Sequence, residues 1–471
     1  MRFPLFFLPF RFLTVACVVL TGALGSGAVF AETKPSVATK PRVLTRVFFQ
    51  DDQARKVRYA DLLATEPLTL SEAKDVEGFP TLDPEKQSLV QMQSAAGMIV
   101  VGVRDEEDGE FQSGWLLIDS GVEEEEHGDH SHWAYVAAPK VRATQLDDQQ
   151  GNPAHVYKYE GAFYLANDSK GGFTRLDPSK IKPSHSESDI RSLAKFYRGG
   201  SGHITLASHK GLAYSTWINR EGDNAGRVDI VDLSSIQPAE PASHFHLSSG
   251  GIHGAAAAND KIFFAPSDGI AWINAVSSAK VDGDSISVQR IDLGKDGETP
   301  RRTGAFTTHG NHVAFMTGRG ESTTLGLIDA SSPTAEWTAV KVPVQESRRA
   351  VGPMIVKPRS GTPIAFVFHD GPAEAEGKNI ASIVDLDPNG DGQWNDAKLS
   401  GELEVGKCLV SGHSGHHDIA FDANSSIAVI SNPGDGTLTT VSLASRKATG
   451  TFNVGGSVSR LITVGARGPA K

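Results

Sequence analysis

The segments GHITLASHKGLAYS (202–215), IHGAAAANDKIFFA (252–265) and GHHDIAFDANSSIAVIS (415–431) are three copies of one pattern, each with a histidine at its start. In every copy an apolar run, a polar turn and a second apolar run follow, as in a β-hairpin. The first two copies place their histidines, His203 and His253, 50 residues apart. A supersecondary unit that recurs at this interval indicates a β-propeller rather than a solenoid.

A second pattern recurs where the third strand of each repeat is expected. It is a short apolar run that ends in aspartate, as in 115–119, and the aspartate caps the turn that follows. Its other copies are 227–233, 325–329, 380–386 and, more loosely, 437–443. The 49 glycines and the frequent Asp-Gly and Asn-Gly pairs are typical of a chain with many hairpins. Only residues 186–197 resemble a helix, of one or two turns.

These patterns predict an all-β protein that forms one β-propeller domain over residues 42–471. We expect seven or eight blades, with eight favoured, and a monomer. The apolar run 458–464 is predicted to pair with a strand at 43–50 and so to close the ring. Closure of this kind covers the strand edges that would otherwise promote aggregation.

Residues 1–31 have the features of a secretory signal peptide. A basic start and an apolar stretch precede the small residues Val29 and Ala31, which mark a cleavage site before Glu32. Residues 32–41 then form a polar linker. The prediction is a periplasmic or secreted mature protein; a lipoprotein at Cys17 and a retained membrane anchor are the weaker alternatives.

Charge and cysteine content restrict the partners of the mature chain. The whole chain has a net charge of −11, and removal of 31 residues with two arginines leaves 440 residues at −13. This balance argues against nucleic acid and anionic membranes as partners, and it favours a cation. Cys408 is the only cysteine left, so no intrachain disulfide can form. It is a buried inert thiol, a metal ligand beside His413 and His416, or a redox group.

The densest group of metal-binding side chains is the loop 123–132, with the sequence EEEEHGDHSH. His127, Asp129, His130 and His132 are close enough in sequence to surround one ion, and the four glutamates attract cations. Imidazole binds zinc, copper or nickel, so the pattern leaves the ion open. The alternative is a solvated polar loop whose histidines occur by chance.

A second candidate metal site is the set of histidines that open the repeats. The set consists of His155, His203, His253, His416 and His417. First strands of propeller blades line the central channel, so these imidazoles are predicted to meet at one mouth of it, where they would suit zinc. Gly304 and Ile355 occupy the position in two other blades and interrupt the ring. The alternative is a structural role, such as a hydrogen bond to the next blade.

Residues 387–396, with the sequence DPNGDGQWND, resemble a calcium-binding loop. Oxygen ligands stand at its first, third and fifth positions, and Gly392 stands at the sixth. Lys398 occupies the twelfth position, where a bidentate acid is expected. The alternative is therefore a long hairpin connection rich in aspartate and asparagine.

The loop HGDHSH (127–132) and the blade 202–233, with GHITLA, AYSTW and AGRVDIVDL in succession, resemble the AztD-type periplasmic zinc metallochaperones over most of the mature chain. The resemblance implies a zinc carrier that holds the ion on histidines and passes it to the solute-binding protein of an ABC importer. It also implies that His127, His130 and His132 collect the ion and that the repeat-opening histidines form the tighter site.

Two other classes of function stay open at this point. Propellers with several histidines hold copper clusters for reductive chemistry in nitrous-oxide reductases, which this chain resembles only in its blade pattern. A protein-binding propeller whose histidines serve the fold is the other class. The sequence contains no nucleophile elbow, P-loop, HExxH or Rossmann fingerprint. We therefore expect a metal-binding carrier and not an enzyme.

Overall fold

The computed structural model describes residues 41–128, 130–235 and 240–467. The predicted signal peptide at 1–31, all but the last residue of the linker at 32–41, and Asp129 lie outside the described residues. What the sequence predicts for them stays a prediction. Among the described residues, no helix has the length and the apolar character that crossing a bilayer requires.

The described chain forms eight antiparallel sheets, which are the blades of a β-propeller. Blade one contains β1 (Val43–Asp51), β2 (Lys56–Leu63), the short strands β3 (Thr69–Leu70) and β4 (Lys74–Asp75), and the last strand of the chain, β37 (Val458–Val464). Blade two contains β5 (Gln87–Ala95), β6 (Met98–Asp105) and β7 (Ser113–Asp119), then an inserted hairpin of β8 (Val122–Glu126) and β9 (Ser131–Tyr135), and finally β10 (Lys140–Asp147).

The next three blades repeat the four-stranded order. Blade three contains β11 (Pro153–Tyr159), β12 (Ala162–Asn167), β13 (Gly172–Leu176), the helix α1 (Glu187–Leu193) and β14 (Lys195–Arg198). Blade four contains β15 (Leu206–His209), β16 (Leu212–Thr216), β17 (Arg227–Asp232) and β18 (Ser243–His246). Blade five contains β19 (Ala255–Ala258), β20 (Lys261–Phe264), β21 (Ile270–Asn274) and β22 (Gln289–Ile291), and the small hairpin of β23 (Lys295–Asp296) and β24 (Thr299–Pro300) follows it.

The last three blades complete the ring. Blade six contains β25 (Thr307–His309), β26 (His312–Thr317), β27 (Thr324–Asp329) and β28 (Trp337–Lys341). Blade seven contains β29 (Arg349–Val356), β30 (Ile364–Asp370), β31 (Ile380–Asp385) and β32 (Lys398–Glu404). Blade eight contains β33 (Ile419–Phe421), β34 (Ile427–Asn432), β35 (Thr437–Ser442) and β36 (Lys447–Asn453).

The ring closes in blade one, where the first and last strands of the described chain meet. β37 pairs antiparallel with β1, with Phe48 opposite Ile462. Both side chains are buried in an apolar cluster that also contains Leu116 of blade two. The all-β class, the count of eight blades and the predicted closure are all confirmed.

Blade four shows why the local sequence forms a hairpin. Lys210 and Gly211 have positive φ values of 49° and 79°, which a two-residue type I′ turn requires. This turn sets Ala207 opposite Tyr214, and both side chains are fully buried between blades. The predicted helical turns at 186–197 are also present, as α1.

The strand order of a blade assigns each connection to one of two faces of the propeller. First strands of neighbouring blades contact one another around the channel. The connections that lead into first strands, and those between second and third strands, share one face, the entry face. The connections between first and second strands, and between third and fourth strands, lie on the opposite face, the turn face.

Candidate metal centre

Three of the five repeat-opening histidines meet at the entry face of the channel. The ring centroids of His155 and His203 are 4.7 Å apart, and those of His203 and His253 are also 4.7 Å apart. The Nε2 atoms of His155 and His203 are 2.9 Å apart. The three residues come from blades three, four and five. We call them the channel-mouth cluster.

Hydrogen bonds hold the Nδ1 atoms of two of these rings, His203 and His253. His203 Nδ1 lies 3.2 Å from Oδ2 of Asp168, and His253 Nδ1 lies 3.1 Å from the carbonyl oxygen of Gly304. Because each Nδ1 faces an acceptor, it carries the ring proton and leaves a lone pair on Nε2. Proteins commonly orient histidine ligands for a metal in this way.

The surroundings keep the imidazoles of His155 and His253 neutral. Burial, followed by the neighbouring rings of His203 and His253, lowers the pKa of His155 to about 3. Burial also lowers the pKa of His253. Neutral imidazole is the form that binds a metal ion, so both rings can act as ligands at neutral pH.

A cavity of about 340 Å³ adjoins the channel-mouth cluster, lined by His155, His253, Tyr157 and Gln91 among others. Tetrahedral zinc holds two imidazole nitrogens about 3.3 Å apart, close to the 2.9 Å between His155 and His203. The ring centroids of His155 and His253 are 6.4 Å apart, so an ion would draw these two rings towards it. Nitrogens of all three rings do not yet lie within 4.8 Å of one another, so a three-histidine site requires a ring to move. Three histidine ligands would leave a fourth position to solvent or a partner.

The three histidines do not occupy equivalent positions in their blades, contrary to the sequence-based alignment. In each blade the first strand ends at the residue that makes its last pair with the second strand. His155 lies four residues before that residue, His203 six and His253 five. They nevertheless converge. His203 and His253 precede the first paired residues of their strands, whereas His155 lies within β11, directly after a register shift. The alignment was also wrong for Ile355, which lies near the far end of β29 and not at its start.

Asp168 is the residue of this site that the sequence analysis missed. It follows β12 at the entry face, where its Oδ1 accepts the backbone N–H of Ile204 at 2.9 Å while Oδ2 holds His203. Asp370, at the end of β30, holds His416 in the same way, at 3.1 Å. In both cases the aspartate stands at the end of a second strand, 35 or 46 residues before the histidine that opens the next blade. This spacing is the sequence signal that could have identified Asp168.

His416 and His417 belong to a different group, between blades seven and eight. His417 is fully buried; its Nδ1 lies 2.6 Å from Oδ1 of Asp370, and its Nε2 lies 2.9 Å from the carbonyl oxygen of Gly406. Both nitrogens lie at hydrogen-bond distance from protein oxygens, so neither is directed towards an ion in the channel. Within the described ranges, no ring contact joins His416 or His417 to the channel-mouth cluster. The structure does not bring these two histidines to the shared centre.

Ligand atoms of Asp370, Cys408 and His417 all lie within 4.8 Å of one another in the core. Hydrogen bonds already satisfy this group, since the Cys408 thiol donates to the carbonyl oxygen of Gly371 at 3.2 Å. Burial raises the pKa of the thiol, and the guanidinium of Arg348, 3.9 Å from the sulfur, disfavours a second cation. We therefore assign the group to the stability of the fold, which agrees with an inert, buried Cys408.

The imidazoles of the predicted His-rich loop also come together, at the tip of the β8–β9 hairpin. The ring centroids are 5.6 Å apart for His127 and His130, 4.7 Å for His127 and His132, and 5.0 Å for His130 and His132. The Nε2 atoms of His130 and His132 are 3.0 Å apart. We call the three residues the hairpin cluster. Metal binding there stays a prediction.

The two histidine clusters lie on opposite faces of the propeller. The β8–β9 hairpin connects the third and fourth strands of blade two, so it leaves the turn face. The channel-mouth cluster lies where first strands begin, at the entry face. The strand that leads to the hairpin cluster exposes Glu123, Glu124, Glu125 and Glu126, so the two sites differ in exposure and in charge.

Fold and site together define an eight-bladed β-propeller with one histidine cluster at its channel mouth and another on a hairpin. Among solved structures the chain is similar to apo AztD from Citrobacter koseri, with a TM-score of 0.60 and 16% identity, over 91% of this chain and 100% of that one. A second structure of Citrobacter koseri AztD gives the same values. The propeller is also similar to dihydro-heme d1 dehydrogenase NirN in complex with DHE, with a TM-score of 0.52 and 11% identity, over 89% and 75% of the two chains.

No protein-family model matches the sequence, and no curated protein matches it either. At 16% identity the likeness to AztD shows the fold. The sequence resemblance to AztD-type proteins is therefore confirmed at the level of the fold, over most of the chain.

Asp168→Asn is expected to weaken zinc binding at the channel-mouth cluster by about 10- to 100-fold. An amide that donates to Nδ1 of His203 stabilises the tautomer with its proton on Nε2, which removes the lone pair. Affinity would be measured by competition with a chelator, in a chain that also carries His130→Ala and His132→Ala. Asp177→Asn, which removes a carboxylate that caps a short turn in the same blade, is the matched control. Equal affinities for the two variants would contradict the role given to Asp168.

Proposed function

We propose that this protein is a periplasmic zinc carrier, which binds zinc on histidines and delivers it to the solute-binding protein of an ABC importer. The observation that carries the proposal is the meeting of His155, His203 and His253 at the channel mouth, with ring centroids 4.7 Å apart across each adjacent pair. The AztD-type metallochaperones, which the sequence resembles and whose fold the chain shares, support the same function.

The chemistry of the channel-mouth cluster favours zinc. Its three candidate ligands are imidazole nitrogens, and zinc is four-coordinate with ligands of this kind in many proteins. Asp168 behind His203 adds a negative charge close to the ion without occupying a coordination position. The net charge of −11 attracts divalent cations to the protein as a whole.

The open fourth position suits a carrier. A ligand from an acceptor protein can bind the ion there before a histidine leaves, so zinc need not pass through free solution. The 340 Å³ cavity beside the cluster gives such a ligand access. We assign the ion to cargo and assign no reaction to the site, so the protein is proposed to be a carrier and not an enzyme.

The hairpin cluster is proposed to collect zinc, as the resemblance implies. His127 and His130 are exposed, and Nε2 of His127 lies 3.5 Å from Oε1 of Glu125. Binding at an exposed loop must fix mobile side chains, and the lost conformational entropy opposes it. Such a site therefore holds its ion weakly and exchanges it quickly. The channel-mouth cluster, which is more deeply buried, is proposed to hold zinc more tightly.

Metal analysis of the protein, purified from its own periplasm without a histidine tag, tests the identity of the cargo. Zinc at one or two ions per chain is the expected result. A coloured preparation that contains copper instead would overturn the zinc assignment and support a copper enzyme. Recovery of the protein in the cytoplasm, with residues 1–31 retained, would overturn the periplasmic assignment.

Transfer is tested by mixing the zinc-loaded protein with the metal-free zinc solute-binding protein of the same cell. Zinc is expected to move to the acceptor at a rate that an excess of a chelator does not abolish, because the ion passes directly. The double variant His155→Ala and His203→Ala should lose this transfer. The double variant His185→Ala and His209→Ala removes the same number of imidazoles elsewhere and should retain it. Transfer that the chelator abolishes in every variant would refute direct delivery.

A further inference from the structure

We propose that the connection between β31 and β32 is a calcium site, in which Asp387, Asn389, Asp391 and Asp396 bind the ion. The site is separate from both histidine clusters and independent of the proposed transport of zinc. The sequence indicates the first three ligands by their spacing, whereas the structure adds the fourth.

Asp387 has the geometry of a carboxylate prepared for a cation. Its Oδ2 accepts the backbone N–H of Gly392 at 3.0 Å, which turns the carboxylate into the loop. The residue is only 5% exposed, and its Oδ1 is buried with no hydrogen-bond partner among the described residues. A buried carboxylate oxygen without a partner is costly, and a bound cation would remove that cost.

Asp396 supplies the acid that the sequence pattern lacked. Its Oδ1 is also buried and has no hydrogen-bond partner among the described residues. It lies nine positions after Asp387, shortly before β32 begins at Lys398. Two unpartnered carboxylate oxygens therefore stand at the two ends of one loop, and Asp396 takes the place of the acid expected at position twelve.

Asn389 and Asp391 complete a set of oxygen ligands between these two ends. Oδ1 of Asn389 accepts the backbone N–H of Asp391 at 2.9 Å, and Oδ1 of Asp391 accepts that of Gln393 at 2.8 Å. These hydrogen bonds hold both side chains against the loop backbone. The oxygens of Asp387, Asp391 and Asp396 do not all lie within 4.8 Å of one another, so the loop would close around the ion. Three carboxylates and an amide oxygen are hard ligands, which favour calcium over zinc. The tolerance of calcium for irregular geometry also favours it over magnesium.

The loop is anchored by Trp394, which is buried in the core between blades six and seven. Its ring stacks on His312 at 3.9 Å and 9°, and on His309 at 6.2 Å. Both histidines flank the hairpin turn of blade six, where they pair with each other and are partly buried. The ion would therefore fasten the connection of blade seven to the hairpin of blade six.

The proposed calcium site lies on the turn face, since it connects a third strand to a fourth. The channel-mouth cluster lies on the entry face. Loss of one site should therefore leave the other intact, which allows the two proposals to be tested separately.

The test is a titration of the full-length mature protein, first freed of metal by chelation, with calcium. Calorimetry should show one calcium bound per chain, and calcium should raise the midpoint of thermal unfolding. Terbium, which replaces calcium, should luminesce on excitation of tryptophan because Trp394 lies within the loop. Trp394→Phe should abolish most of this luminescence and retain calcium binding. No heat and no thermal shift with calcium would overturn the proposal.

Variants distinguish this loop from other acidic turns. Asp387→Asn and Asp391→Asn are each expected to lower calcium affinity at least tenfold, and Asp391, being exposed, can be changed without disturbing the core. Asp284→Asn changes an exposed aspartate of another turn and should bind calcium as the unchanged protein does. His203→Ala should do so as well. Calcium affinity that is equal in Asp391→Asn and Asp284→Asn would overturn the assignment.

Discussion

His203→Ala is expected to weaken zinc binding at the channel mouth by about 100-fold. His203 is the middle ring of the cluster, with its centroid 4.7 Å from those of both His155 and His253. Zinc held by four ligands is bound by about 10–16 kcal/mol, so one ligand contributes about 3 kcal/mol, which corresponds to about 100-fold in affinity. The two remaining histidines, 6.4 Å apart, would hold the ion poorly.

The measurement is competition against a chromophoric chelator, in a chain that carries His130→Ala and His132→Ala so that only the channel mouth is observed. His209→Ala is the matched control, because this histidine contacts Asp260 at 3.0 Å on the turn face. The control should bind zinc with unchanged affinity. Circular dichroism should show that both variants keep the fold. If His203→Ala binds zinc as tightly as His209→Ala, the channel mouth is not the zinc site.

A chain that ends at Ser457, without β37, is expected to lose the folded state. Four aliphatic side chains of β37 are buried, Val458, Leu461, Ile462 and Val464. Burial of each contributes about 1.5–3 kcal/mol, and the sum of about 6–12 kcal/mol is comparable to the whole net stability of a domain, about 5–15 kcal/mol. The deletion also uncovers the edge of β1, an unpaired edge that promotes aggregation.

Urea unfolding, followed by tryptophan fluorescence, measures this loss. A chain that ends at Arg467 keeps every pair of β37 with β1 and should unfold at the midpoint of the full chain. A peptide of residues 457–467, added to the shortened chain, should restore a cooperative transition, whereas a scrambled peptide should not. A cooperative transition at an unchanged midpoint in the chain that ends at Ser457 would show that the closure is dispensable.

Most of the fold could be predicted from patterns formed by residues that are neighbours in the sequence. The hairpin that turns at Lys210 and Gly211 could be predicted because turn residues and alternating apolar side chains lie next to one another in sequence. The third strands were predictable for the same reason, and so was α1, which begins after the cap residue Ser186. The closing strand could be placed because blade one otherwise lacks its first strand.

The candidate site was only partly predictable. The sequence indicated which histidines open the blades, and His155, His203 and His253 do meet. It did not separate them from His416 and His417, whose rings turn to Asp370 and Gly406. The direction of those rings depends on carboxylates and carbonyls from other blades, which the local sequence does not show.

The sequence by itself determined the class of fold, the order of the repeats, and the loops that are rich in metal-binding residues. It favoured eight blades over seven. These properties follow from turn chemistry and apolar alternation, which act between neighbours in the chain. Only the tertiary structure decided which imidazoles share a centre, that Asp168 orients one of them, and that Asp396 completes the acidic loop. A side chain's direction depends on strand register and on contacts between blades, and a shift of one residue reverses the face towards which it points.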